Sequence, residues 1–205
     1  LTTTDATEGS PAWTPDGRQL VYASNVSGNF QVWIMNADGS GQRQLTQEPA
    51  SNFQPVVSPD GKAIAFTSDR DRSQGSYDIF AMALDGSGQR GVTRAPVAET
   101  TPIWFPDGQL GYVVQEAARR GSVSSRVMRM NLTTGETVAV SPQGLGVADV
   151  DVSRNGELLA LVVTTFERGG SVVQRLYLVA PGTPSVAPAE VPRVGNTDRL
   201  GSPSF

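Results

Sequence analysis

Pro11-Ala12-Trp13-Thr14-Pro15-Asp16-Gly17 returns as Pro55-Val56-Val57-Ser58-Pro59-Asp60-Gly61 and again as Pro102-Ile103-Trp104-Phe105-Pro106-Asp107-Gly108. A looser copy reads Val150-Asp151-Val152-Ser153-Arg154-Asn155-Gly156, and Pro203-Ser204-Phe205 opens as a further copy would. The turn glycines Gly17, Gly61, Gly108 and Gly156 stand 44, 47 and 48 residues apart. A second marker runs Asn36-Ala37-Asp38-Gly39, Ala83-Leu84-Asp85-Gly86, Thr133-Thr134-Gly135 and Ala180-Pro181-Gly182, with its glycines 47, 49 and 47 apart. Two independent markers keep one period, and that period suits a four-stranded propeller blade.

Each repeat reads as four short strands. In the first they are expected at 12–14, Gln19–Ser24, Gln31–Asn36 and 42–46. Pro15-Asp16-Gly17 and Asp38-Gly39-Ser40-Gly41 supply the turns, because Pro presets φ and Gly accepts a positive φ. Leu20-Val21-Tyr22-Ala23, Val32-Trp33-Ile34-Met35 and Ala63-Ile64-Ala65-Phe66 are unbroken apolar runs, as in strands covered on both faces. The expected fold class is all-β, a β-propeller of four-stranded antiparallel blades. The whole repeats lie at about 10–46, 53–93, 100–141 and 147–191, and residues 180–194 are the least repeat-like. Leu1-Thr2 matches the Leu45-Thr46 and Val92-Thr93 that close the first two repeats, so 1–2 and 202–205 are assigned to adjoining repeats. Residues 1–205 are read as one propeller domain or a fragment of one, with a closed four-bladed ring as the alternative.

Composition removes much chemistry. The 205 residues include no Cys and no His, which excludes from this chain a disulfide, a thiolate nucleophile, an imidazole base and His-ligated metal. A net charge of −4 argues against a nucleic-acid partner. No apolar run approaches the roughly 20 residues that span a membrane, and no signal peptide is legible. No cofactor is implied. Asp16, Asp60 and Asp107, each followed by Gly17, Gly61 or Gly108, are read as structural turns, since a position repeated in every blade is a scaffold position. Asn36-x-Asp38-Gly39 and Asp69-x-Asp71 lack the ligand set of a calcium loop, so no metal site is assigned. Gly39-Ser40-Gly41 and Gly86-Ser87-Gly88 lack the helix and the Lys of a phosphate cradle. The aromatics Trp13, Trp33, Trp104, Phe53, Phe66 and Phe80 are expected to pack between blades.

The spacing between the two markers within a repeat is 22, 25, 27 and 26 residues. The additions fall between the second and third strands, in loops 25–29, 69–76, 115–125 and 165–171. The last three carry Arg70, Arg72, Arg119, Arg120 and Arg168, interleaved with Asp69, Asp71, Glu116 and Glu167. Such loops escape packing constraints and are a common place for binding, so these five arginines are the candidate binding residues.

P-x-W-[ST]-P-D-G-x-x-[LI]-[VA]-[YF]-x-S, then M-x-x-D-G-S-G-Q-R, then L-T, resembles the WD40-like PD40 repeat of TolB-like propellers. The resemblance is strongest over 10–46 and 53–93 and weakest over 147–191. It implies six to eight blades in the whole propeller and a bacterial, periplasmic or otherwise exported protein. It further implies a non-enzymatic scaffold for protein–protein interaction. Self-association through exposed terminal blades is a corollary. PD40-type blades also occur beside prolyl-oligopeptidase-like peptidases and in oligogalacturonate lyase. An accessory propeller of a peptidase, or a carbohydrate-binding or lyase propeller, therefore stands as the alternative.

Overall fold

The computed structural model describes residues 5–71, 76–116, 124–166, 171–182 and 189–190, and it sets the four repeats out as four antiparallel four-stranded sheets. The first holds β1 (Glu8–Trp13), β2 (Gln19–Ser24), β3 (Gln31–Asn36) and β4 (Arg43–Gln44). The second holds β5 (Asn52–Val57), β6 (Ala63–Ser68), β7 (Asp78–Ala83) and β8 (Arg90–Gly91). The third holds β9 (Glu99–Trp104), β10 (Leu110–Glu116), β11 (Ser124–Met130) and β12 (Thr137–Ala139). The fourth holds β13 (Val147–Val152), β14 (Leu159–Phe166), β15 (Val172–Val179) and β16 (Ala189–Glu190). In every sheet the strands pair in chain order, as a blade's meander requires. No helix occurs among the described residues, so none there is long and apolar enough to cross a membrane.

The chain divides into two compact units, Leu1–Trp104 and Phe105–Phe205. In the first, the core lies between sheets rather than within one. Val21, Val32 and Ile34 of one blade meet Ile64, Phe66, Phe80 and Met82 of the next, with Leu45 beside them. Phe66 and Phe80 are register partners whose rings stack 6.0 Å apart. Blade faces approach closely enough that a Cβ on Gly86, whose φ is +89°, would sit 3.3 Å from the Leu45 carbonyl oxygen. In the second unit the fully buried Leu159 and Leu161 lie in β14 and the fully buried Val127 in β11.

The limits of the strands differ from the sequence expectation in three ways, the simplest being that β4 spans only Arg43–Gln44 of the expected 42–46. β1 begins at Glu8 rather than at residue 12, because Ser10 takes a φ of +50° and lets the strand continue through a bulge between Gly9 and Ala12. Gln54 does the same in β5, with a φ of +52° at a bulge between Phe53 and Val56, and Thr101 in β9 has a φ of +53°. The β10–β11 and β14–β15 hairpins also run further than expected. Gln115 pairs with Ser125 and Glu116 with Ser124, while Thr165 pairs with Val173 and Phe166 with Val172. The extra residues in these repeats thus lengthen strands as well as loops.

Candidate interaction surface

The repeated carboxylates are consumed by their own turns. The Thr14 hydroxyl donates to Asp16 at 2.6 Å and the Arg18 amide donates to the same oxygen at 3.0 Å. Ser58 and the Lys62 amide repeat this on Asp60 at 2.6 and 3.1 Å. The hydroxyl bond first, then the amide bond, holds both carboxyls below the usual carboxylate range. Asp107 accepts from the Gln109 amide at 3.1 Å and pairs with Arg129, whose guanidinium lies over the Phe105 ring. In the fourth copy Asn155 takes the same place, accepting from Ser153 at 2.7 Å and the Glu157 amide at 3.2 Å. The turn needs an acceptor and not an acid. Gly17, Gly61 and Gly108 complete it at φ of +68°, +71° and +80°. The cleft of about 200 Å³ between the first two of these turns is lined by Thr14, Pro15, Asp16, Gln19, Asp60, Gly61 and Leu84, and its carboxylates are the two already bound by their own turns.

Among the described residues no group of three or more His, Cys, Asp or Glu could hold a metal ion. Asp38 accepts from the Ser40 hydroxyl and amide at 2.6 and 2.9 Å, and Asp71 pairs with Arg94 at 3.3 Å.

Of the five candidate arginines, Arg72, Arg119, Arg120 and Arg168 lie outside the described residues. Arg70 is well placed and is not a free rim charge. Its guanidinium donates to Ser68 Oγ at 3.1 Å, Gln89 Oε1 at 2.8 Å and Asn52 Oδ1 at 2.9 Å. It also lies 4.7 Å above the Phe80 ring and 5.3 Å from Phe66, with its side chain 15% exposed. Burial lowers its pKa, and the Glu48 carboxylate 4.0 Å away acts the other way. Arg70 therefore seals the end of a blade, through cation–π and paired polar contacts.

Beside polar residues such as Ser27, Asn29 and Gln115, the hairpins between second and third strands expose apolar side chains. Among the described residues, seven large hydrophobic side chains are exposed: Trp13, Val26, Tyr77, Val138, Leu158, Phe166 and Val172. Four of them sit at this one place in the repeat. Val26 lies in the β2–β3 loop, Tyr77 directly before β7, and Phe166 and Val172 face each other across the tip of β14–β15. Tyr77 is steadied edge-on by Phe53, 5.3 Å away. These positions carried no signal in the sequence beyond loop length, because an isolated Val or Phe beside a strand reads as core.

The aromatics divide. Phe66 and Phe80 are buried, as expected. Trp104 is half-buried and its Nε1 donates to the Val56 carbonyl of the preceding blade at 3.2 Å. Trp13, the equivalent residue of the first repeat, is 54% exposed, and among the described residues it does not join an inter-blade core.

Residues 1–74 match the family model described as the TolB beta propeller domain, PD40. The chain is similar to the uncharacterized peptidase YuxL of Bacillus subtilis, 41% identical over 58 residues, which are 28% of this chain and 9% of that protein. It is similar to the Tol-Pal system protein TolB of Anaeromyxobacter dehalogenans, 42% identical over 58 residues, 28% of this chain and 13% of that protein. The matched stretch is thus a small fraction of either relative. Among solved structures, TolB from Acinetobacter baumannii aligns with a TM-score of 0.65 at 20% identity, covering 88% of this chain and 45% of that one. The PD40 match falls on the first repeat and part of the second, and the fold class of the chain is the β-propeller.

Proposed function

We propose that this chain is a non-enzymatic, TolB-like propeller scaffold that holds a protein partner on the tips of its second-to-third-strand hairpins, in the bacterial envelope or outside the cell. The observation that carries this reading is the return of exposed apolar side chains at that one position of the repeat: Val26, Tyr77, Phe166 and Val172. Scattered exposed hydrophobics are ordinary, but here each unit repeats them at the same place in its hairpins, Val26 and Tyr77 in the first and Phe166 and Val172 in the second. Arg119, Arg120, Arg72 and Arg168 belong to the same loops in sequence and supply charge for partner carboxylates. The similarity to a Tol-Pal system protein makes a component of that system the first partner to try. Residues 1–205 are taken as part of one propeller domain.

The test replaces Phe166 and Val172 by Ser in one variant and Arg119 and Arg120 by Ala in another. Binding to the Tol-Pal components is measured beside thermal melts. Each pair is expected to weaken binding about 30-fold or more, in line with roughly 2 kcal/mol for an interface anchor. The melts should stay within about 0.5 kcal/mol of the parent, since exposed residues carry little stability. Unchanged binding in both variants contradicts the assignment of the tips.

A second reading, an accessory propeller of a peptidase, is favoured by the similarity to YuxL. It predicts that the chain joined to a hydrolase domain alters which substrates that domain cleaves. The chain alone would still lack turnover, having no His to act as base.

A further inference from the structure

The junction between successive blades is built on three equivalent positions, and the chain fills them differently each time. Between the first and second blades they are Gln31, Thr46 and Asn52, all buried and all neutral. The Thr46 hydroxyl accepts from the Val32 amide at 2.9 Å and donates to Gln31 Oε1 at 2.7 Å. Asn52 Nδ2 donates to that same Gln31 oxygen at 3.0 Å, and Gln31 Nε2 donates to the carbonyls of Glu48 and Ala50 at 3.0 and 2.9 Å. Every polar atom at the centre of this junction has a use.

Between the second and third blades the same positions are Asp78, Thr93 and Glu99. The frame is unchanged. Thr93 Oγ1 accepts from the Ile79 amide at 2.9 Å, and the Glu99 amide donates to the Tyr77 carbonyl at 2.8 Å as the Asn52 amide does to Phe30 at 2.7 Å. A long amide facing a short one has become a short acid facing a long one, so the combined reach is kept. The hydrogen is lost. Asp78 Oδ1 has a single long bond from the Ala95 amide at 3.4 Å, and the Thr93 hydroxyl serves Glu99. Asp78 Oδ2 and Glu99 Oε2 have no partner, although Asp78 is 1% and Glu99 6% exposed. Two buried, unpartnered carboxylate oxygens at one junction are strongly unfavourable when both groups are charged.

We infer that Asp78 and Glu99 together retain one proton in the folded chain, because the second blade junction fills with two buried acids the places that the first fills with neutral amides. The junction is therefore a proton-sensitive joint within the scaffold. On β5, β6 and β7, which pack against β9, the only ionisable side chain is Asp78 itself, and β10, the neighbour of β9 in its own sheet, carries Glu116, paired with Arg126 at 2.7 Å. Around the strand ends, among the described residues, stand Asp71, which raises the Asp78 pKa, Arg94, which lowers it while paired with Asp71 at 3.3 Å, the Tyr77 phenol, and Asp69 and Arg70, which follow the Asp78 register partner Ser68, Arg70 being held by Asn52, Gln89 and Ser68. Burial is the largest cause raising both carboxyls, and the Asp78 charge adds to it at Glu99 while the Thr93 bond opposes it. A carboxyl raised in the folded state binds protons that the unfolded chain has given up. Its contribution is complete below the ordinary carboxylate range and is lost as pH rises through the raised value.

Glu99→Gln supplies the missing hydrogen permanently. Melting temperatures of the full chain and of this variant are compared from about pH 5 to pH 9, spanning the range above an ordinary carboxylate. The parent should lose more melting temperature than the variant as pH rises, and the variant should melt higher at the alkaline end. Infrared spectra of the parent at neutral pH should show a protonated-carboxyl band that Glu99→Gln removes, a readout independent of the variant's stability. Parallel melting curves together with absence of that band overturn the inference. So does a saturable rise in the parent's melting temperature on adding calcium or magnesium alone, absent from the variant, which makes the pair a cation site.

Discussion

Arg70 illustrates how a charged residue in a loop becomes part of the scaffold. Its three bonded partners, Ser68, Gln89 and Asn52, include an oxygen contributed from 18 and one from 19 positions away, and its plane rests on Phe80 and Phe66. Arg70→Ala should therefore destabilise the chain by about 1–3 kcal/mol, leaving two amide oxygens short of a donor and two rings uncovered. Arg70→Lys should recover only part of this, because an ammonium cannot fork to both oxygens while lying flat on a ring. Chemical denaturation of both variants checks the order; an Arg70→Ala midpoint equal to the parent's contradicts it. The role of Asp16 and Asp60 was legible beforehand, since local turn chemistry spans only a few residues. The role of Arg70 was not, because its partners are distant in sequence and ordinary in type.

At the scale of the element, the strand pair most visible in the sequence was found at the expected residues. β2 and β3 occupy Gln19–Ser24 and Gln31–Asn36, where apolar runs are bracketed by turn residues. The first strand was less legible because its bulge interrupts the alternation at Ser10. Equivalent tryptophans also met different fates. Trp104 donates to the Val56 carbonyl of the blade before it, whereas Trp13 is more than half exposed. A repeat motif specifies the residue, but burial depends on what stands against that blade. Trp104→Ala should cost up to about 3 kcal/mol. Trp13→Ala should cost less than about 1 kcal/mol in the same chain. Equal losses in paired melts would place Trp13 in a core and contradict its exposure.

At the scale of the whole molecule, two recurring markers were enough to specify four antiparallel four-stranded sheets, because each repeat brings the same turns at the same places and length differences are taken up between its second and third strands. The proposed surface was only partly legible. Loop length pointed to these hairpins, while the exposed Tyr77, Phe166 and Val172 were not singled out in the sequence, because an apolar residue beside a strand does not declare its exposure. The two buried acids of the second junction were hidden for a related reason: nothing in a linear sequence pairs Asp78 with Glu99. Both ends of β14 are exposed and apolar, with Leu158 just before its start and Phe166 at its finish. A photo-crosslinking residue placed at 166 or at 158 in otherwise identical chains therefore probes opposite ends of one strand. Exposed to bacterial envelope proteins, the chain is predicted to form a discrete crosslinked adduct from position 166 and none from position 158. An adduct from 158 alone, or equal labelling from both, contradicts the claim that the hairpin tips hold the partner.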